Sequence, residues 1–188
     1  MLTREAVGGP RGDIAGAPFT DLASLGYHEA EYFLGGTAHR GRPTEPIDPL
    51  PFKTRFVVYA PRYPQAFNGT VLLAWNDVPA ETEGLGIGSG EIFEGGFAYV
   101  AATVERAAVH GGGAGGGLHQ ANPDRYGSLC VPGDDYVRDI FRQIARAVGP
   151  DRPQPSVWAV QPPMQPDPLD GLDVRRVAVI GRTCMEAG

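Results

Sequence analysis

Lysine is nearly missing from this chain of 188 residues: Lys53 stands alone among 16 lysines and arginines, against 22 aspartates and glutamates and a net charge of −6. No basic stripe with interleaved aromatics occurs, so the phosphate neutralisation that nucleic-acid binding depends on is not provided for. Long apolar runs are also missing. None approaches the roughly 20 residues that a bilayer-crossing helix requires. The opening MLTREAVGGPRGD has no apolar core of the kind an export signal carries, so a cytoplasmic setting is expected. Only two cysteines occur, Cys130 and Cys184, far apart and outside any CxxC spacing. A structural disulfide is therefore not expected, and a reducing compartment fits. The four histidines, His28, His39, His110 and His119, have no metal-ligand spacing, and no metal or cofactor is expected.

What is abundant is glycine (27) and proline (18), gathered into clusters rather than spread. HGGGAGGGLH (110–119) reads as a flexible loop, and the stretch 149–171 as an extended, Pro-rich surface loop. Gly111-x-Gly113-x-x-Gly116 formally matches a dinucleotide fingerprint. Such a site needs the glycines between a strand and a helix, so that the helix N-terminus meets the pyrophosphate. Here Leu118, His119, Gln120 and Asn122-Pro123 follow, and no helix is expected. The match reads as a spacer, and His110 and His119 as ordinary loop residues.

Between the clusters lie short apolar runs. YHEAEYFLGG (27–36) alternates weakly, KTRFVVYAP (53–61) is β-branched and aromatic, and GTVLLAWN (69–76), FAYVAATVE (97–105) and RRVAVIG (175–181) are compact. Each reads as a strand, the last three as strands covered on both faces. One long helix is expected over 134–148, with Asp134 as its N-cap and Gly149-Pro150 as its stop. Val137, Ile140, Phe141, Ile144 and Val148 share one face, while Arg138, Arg142 and Arg146 form a solvated row. Buried strands separated by a helix and long connections indicate an α/β domain with a mostly parallel sheet and flanking helices. Residues 1–25 read as an irregular lead-in and 26–188 as the domain. In such sheets function sits at the carboxyl ends of strands, which directs attention to Asn76–Val78, Glu105–Arg106 and Gly181–Met185.

The closing stretch VRRVAVIGRTCMEAG passes from a strand into a turn. A nucleophile elbow, G-x-nucleophile-x-G, wants small residues two positions either side of its nucleophile. Gly181 provides the first for Thr183, whereas Met185 is bulky in the second place.

Four blocks, in order, resemble the α/β hydrolase domain-containing proteins: GYHEAEYFLGGTA (26–38), YPQAFNGTVLLAWNDV (63–78), NPDRYGSLCVPGDDYVRDIFRQIARAV (122–148) and DPLDGLDVRRVAVIG (167–181). The resemblance implies an α/β-hydrolase fold reaching as far as the nucleophile elbow, the front portion of an esterase-like serine hydrolase. It implies acyl transfer on a small ester-like substrate. Thr183 occupies the nucleophile position, with Cys184 as the alternative, where the family usually has serine. Backbone N–H groups of Asn76, Asp77 and Cys184 would face the oxyanion. The acid and histidine that follow the nucleophile in chain order do not occur here, so the chain is expected to be inactive alone. The alternative is a non-catalytic binding or assembly remnant of the fold. In either case strand 175–181 is expected to present an open edge, and self-association through it follows as an expectation.

Overall fold

The computed structural model describes residues 1–5, 12–16, 21–40, 49–75, 90–112, 116–152 and 166–180. Its centre is a six-stranded sheet in the order β1-β2-β3-β5-β4-β6. The strands are β1 (Leu2–Glu5), β2 (Tyr27–Ala38), β3 (Leu50–Pro61), β4 (Thr70–Trp75), β5 (Ala98–Ala102) and β6 (Arg176–Ile180). β2, β4, β5 and β6 run in one direction, with β1 and β3 against them, because β3 is antiparallel to both β2 and β5 while β4 is parallel to β5 and β6. All five expected strands form. Within the segment read as an irregular lead-in, Leu2–Glu5 adds an edge strand against Glu31–Leu34.

The short apolar runs of β3, β4 and β5 become strands because each can bury both faces. Phe52, Phe56, Val58, Ala60, Val71, Leu73, Val100 and Ala102 enter one large core. Val57, Tyr59, Ala74, Tyr99 and Ala101 enter a second core on the other face. This alternation along each strand is what the period of two requires. The first core is capped by α5 (Val137–Val148) through Ile140, Ile144 and Val148, and the second by Ile14 and by Ile92 of α1 (Gly90–Glu94). The two crossovers, β4 to β5 and β5 to β6, therefore place their helices on opposite faces.

The helix expected over 134–148 is shorter than the sequence suggests. A 3-10 turn, Asp134–Tyr136, precedes α5, whose N-cap is Tyr136 without a side-chain bond. Asp134 is not its cap: the Oδ1 accepts the amide of Arg106 at 3.2 Å. The apolar face is as expected except at Phe141, which is half-buried and packs on Trp75 with ring centroids 5.5 Å apart. Arg138, Arg142 and Arg146 are exposed.

The glycine tract is bracketed by helical turns that the sequence reading did not anticipate: α2 (Arg106–His110), α3 (Gly117–Ala121) and α4 (Pro123–Tyr126). Asn122 caps α4 by accepting the Arg125 amide at 3.1 Å. Residues 113–115 lie outside the described residues, as do 153–165 of the Pro-rich segment. The described ends of that segment are tied together: Arg152 Nε donates to Asp167 Oδ1 at 2.8 Å, both side chains being buried. Burial alone would raise the Asp167 carboxyl, but the Arg152 bond and the Leu169 and Gly171 amides outweigh it and hold the group below its ordinary value.

Where β2, β3 and the carboxyl end of β5 meet, a charged cluster is fully buried. Arg55 Nη1 donates to Glu31 Oε1 at 2.8 Å, and Arg125 Nε to Glu31 Oε2 at 2.7 Å. The Tyr126 hydroxyl donates to Glu31 Oε1 at 3.1 Å and accepts the Ala15 amide at 2.9 Å. Arg55 Nη2 and Arg125 Nη1 donate to the carbonyls of Ala15 and Gly12. Side chains from three distant segments thus hold residues 12–16 against the sheet.

Candidate functional site

The register of the parallel strands defines the site. Thr70 to Ala74 pair with Arg176 to Ile180, and Val71 to Trp75 with Ala98 to Ala102. β4, β5 and β6 therefore finish at one end of the sheet, with β4 in the middle and helices leaving on opposite faces. Such a switch point opens a crevice beyond the strand ends.

The start of β4 sets that alignment. At Asn68-Gly69 the chain turns with φ +84° at Gly69, a conformation that strains any side chain, and a Cβ there would meet the Arg175 guanidinium. The Asn68 Oδ1 accepts the Thr70 amide at 2.8 Å, and the Gly69 carbonyl accepts the amides of Arg175 and Arg176. β4 and β6 are thereby pinned at their entry.

At the exit, Trp75 is the last residue of β4. Its indole Nε1 donates to Glu105 Oε1 at 3.0 Å, and its ring packs on Phe141. Glu105 holds the N-cap position of α2 yet makes no capping bond; Asp134 takes the first amide of α2 instead. The Glu105 carboxylate is consequently turned across to the neighbouring strand. Thr103 lies just beyond β5, buried, with its amide on the Arg55 carbonyl and its carbonyl accepting the Thr54 hydroxyl.

The site residues expected from sequence, Asn76, Asp77, Thr183 and Cys184, all lie outside the described residues, as do Gly181 and Met185. The described strands end immediately before both groups, at Trp75 and Ile180. Glu105 and Arg106 sit at the same end. What sequence reading missed is the pairing of Trp75 with Glu105 and of Asp134 with Arg106. The available signal was two carboxylates at helix starts, but which one caps which helix depends on contacts far apart in sequence.

The histidines are placed rather than free. His28 is near the start of β2, at the opposite end of the sheet, with Nε2 3.6 Å from Asp170. Burial lowers its pKa, and the Asp170 carboxylate acts against that shift. His39 follows β2, three strand steps from β4, which is roughly 14 Å at the usual strand spacing. His110 and His119 are not loose loop residues. They end α2 and sit within α3, with ring centroids 4.7 Å apart at 81°. Among the described residues no three His, Cys, Asp or Glu side chains are gathered to hold a metal ion, and no helix is long and apolar enough to cross a membrane.

A family model described as an alpha/beta hydrolase domain matches residues 3–184. No curated protein matches the chain.

Proposed function

Because the chain belongs to the alpha/beta hydrolase domain family, we propose that it carries the nucleophile strand and oxyanion loop of an acyl hydrolase acting on small ester-like substrates. One observation supports this above others. β4 and β6 are parallel neighbours whose last paired residues, Ala74 and Ile180, stand side by side. The segments that follow them leave from adjacent points about 5 Å apart. A nucleophile after β6 and backbone donors after β4 need that proximity if both are to meet one carbonyl.

In this reading the Thr183 hydroxyl, or the Cys184 thiol, adds to the ester carbonyl. The amides of Asn76, Asp77 and Cys184 receive the oxyanion, the alcohol departs, and water releases the acid. The step needs a base for the nucleophile's proton. Of the four histidines, His28 lies at the opposite end of the sheet, His39 lies three strand steps from β4, and His110 and His119 each use Nε2 on a backbone group. In this reading the chain by itself gives no turnover. The exposed free thiol of Cys130 fits a reducing, cytoplasmic setting.

Chemical rescue tests the proposal. Hydrolysis of p-nitrophenyl acetate by the chain should match a boiled control. Added imidazole, replacing the base, should raise it above imidazole alone. Thr183→Ala, or Cys184→Ala if the thiol is the nucleophile, should abolish that gain. No gain, or a gain surviving both substitutions, would sink the reading.

A second reading, a binding or assembly module without turnover, draws on β6. Among the described residues β6 has β4 on one side only, and Val179 and Ile180 are 63% and 41% exposed. Unpaired backbone along such a strand favours pairing with a second copy. Light scattering over a concentration series, with hydrogen exchange at 176–180, decides it. A stable monomer with strongly protected amides there would refute the pairing.

A further inference from the structure

The corner between α2 and α3 holds two imidazoles in opposite tautomers, each fixed by a backbone group of one short segment. The Val131 amide donates to His110 Nε2 at 3.1 Å, so the His110 proton resides on Nδ1. The Leu129 carbonyl can only accept, so His119 donates to it from Nε2 at 3.0 Å. Between those two residues, Cys130 exchanges both backbone hydrogen bonds with Lys53 of β3, at 2.9 and 2.7 Å. Segment 129–131 is therefore stitched to the sheet through Cys130 and to the helical corner through its neighbours.

The same stretch of chain also holds the other end of α2. The Asp134 carboxylate accepts the Arg106 amide at its start, as the Val131 amide is accepted by His110 at its end. α2 has only five residues and cannot be stable through its own hydrogen bonds. Its position depends on these ties and on the burial of Ala108 and Val109.

We infer that this corner is an acid-sensitive clasp, in which protonation of His110 releases the C-terminal end of α2 from Val131. An imidazolium has no acceptor, so the added proton removes the bond to the Val131 amide and leaves that amide without a partner. It also places positive charge against the groups that face the ring, His119 from α3 and Arg106 one turn earlier on α2. From segment 129–131 the Val131 amide meets the ring. Burial, then His119 and Arg106, lower the His110 pKa, and an amide that donates to the ring nitrogen favours the neutral form as well.

The sign follows from linkage. A histidine lowered on folding contributes stability that is present above its unfolded value of about 6.5 and is lost as the pH falls toward the folded value. Acid thus loosens the helix whose N-cap position is Glu105, beside the carboxyl ends of β4 and β5, while the strands beneath it stay formed.

The test is amide exchange and imidazole NMR on the full chain between about pH 7.5 and 4.5. The His110 ring should titrate below the ordinary imidazole value. Below that midpoint, protection of the Val131 amide should fall roughly tenfold per pH unit, with the Val57 amide in β3 unchanged. In His110→Gln the side-chain carbonyl can still accept the Val131 amide, and that protection should become independent of pH. Should His110→Gln not fold, the wild-type titration decides alone. Titration of His110 at or above the ordinary value, or Val131 protection that persists once His110 is protonated, would overturn the inference.

Discussion

β3 and β6 are both valine-containing strands of one sheet, and they end up in opposite environments. In β3, Phe56, Val57, Val58, Tyr59 and Ala60 are fully buried, whereas in β6 Val179 and Ile180 are 63% and 41% exposed. Local composition made both into strands. Position in the sheet then decided their burial: β3 has β2 and β5 on its flanks and cores on both faces, while β6 has β4 on one flank among the described residues. An apolar strand is thus a demand for partners, and only the tertiary arrangement shows whether the demand is met.

The largest test of that contrast removes the β2 carboxylate that pairs with the buried Arg55 of β3. Glu31→Ala leaves Arg55 and Arg125 in a dry cluster without their carboxylate, and should cost about 3–5 kcal/mol in urea unfolding. Removing a charge from β6, as in Arg176→Ala, should stay within about 0.5 kcal/mol. Comparable losses would mean that β6 is as enclosed as β3.

Next comes the helix that covers the first core. Ile144→Ala, fully buried, should cost about 2–5 kcal/mol. The sequence pattern put Phe141 on the same face, which would imply a similar or larger loss. Because Phe141 is half-buried against Trp75, Phe141→Ala should cost less than Ile144→Ala, about 1–2 kcal/mol. Reversal of that order would return Phe141 to the core.

A matched pair of deletions compares the strands directly. Val58→Ala removes two buried methyl groups and should cost about 2 kcal/mol. Val179→Ala should change stability by no more than about 0.5 kcal/mol. Equal effects would show that the β6 surface is covered in solution.

A smaller effect concerns acid. Asp167 is held below the ordinary carboxylate range, so its contribution is present above about pH 3.9 and is lost as the pH falls through its folded value. Asp167→Asn should therefore flatten the acid limb of a stability profile below that pH and destabilise the chain above it. An unchanged limb would mean that the Arg152 pair contributes nothing. Least of all, Arg142→Ala on the exposed row should stay within about 0.5 kcal/mol.

Much of this was legible in advance, and the reason is range. The period of two in KTRFVVYAP and the 3.6-residue spacing of Val137, Ile140, Ile144 and Val148 are set by neighbours a few positions away. Those neighbours are in the sequence itself, so the strands, the helix and the parallel core of the sheet could be read directly. Of the candidate site, sequence named the strand ends at Trp75 and Ile180, which finish at one end of the sheet. It could not supply the partners there.

The assignments that failed all depended on distant partners. Asp134 looked like the cap of its own helix, and instead serves an amide 28 positions earlier. Glu31, on which the weak alternation of its strand gave no reading, is neutralised by an arginine 94 positions later. His110 and His119 looked like loop residues, and instead have tautomers fixed by a segment stitched to β3. Short-range periodicity determined which segments became strands and helices. Which carboxylate caps, which charge is buried and which imidazole can gain a proton were decided only when folding brought remote groups within about 3 Å, because hydrogen bonds act over that distance and carry no trace of the sequence separation between their partners.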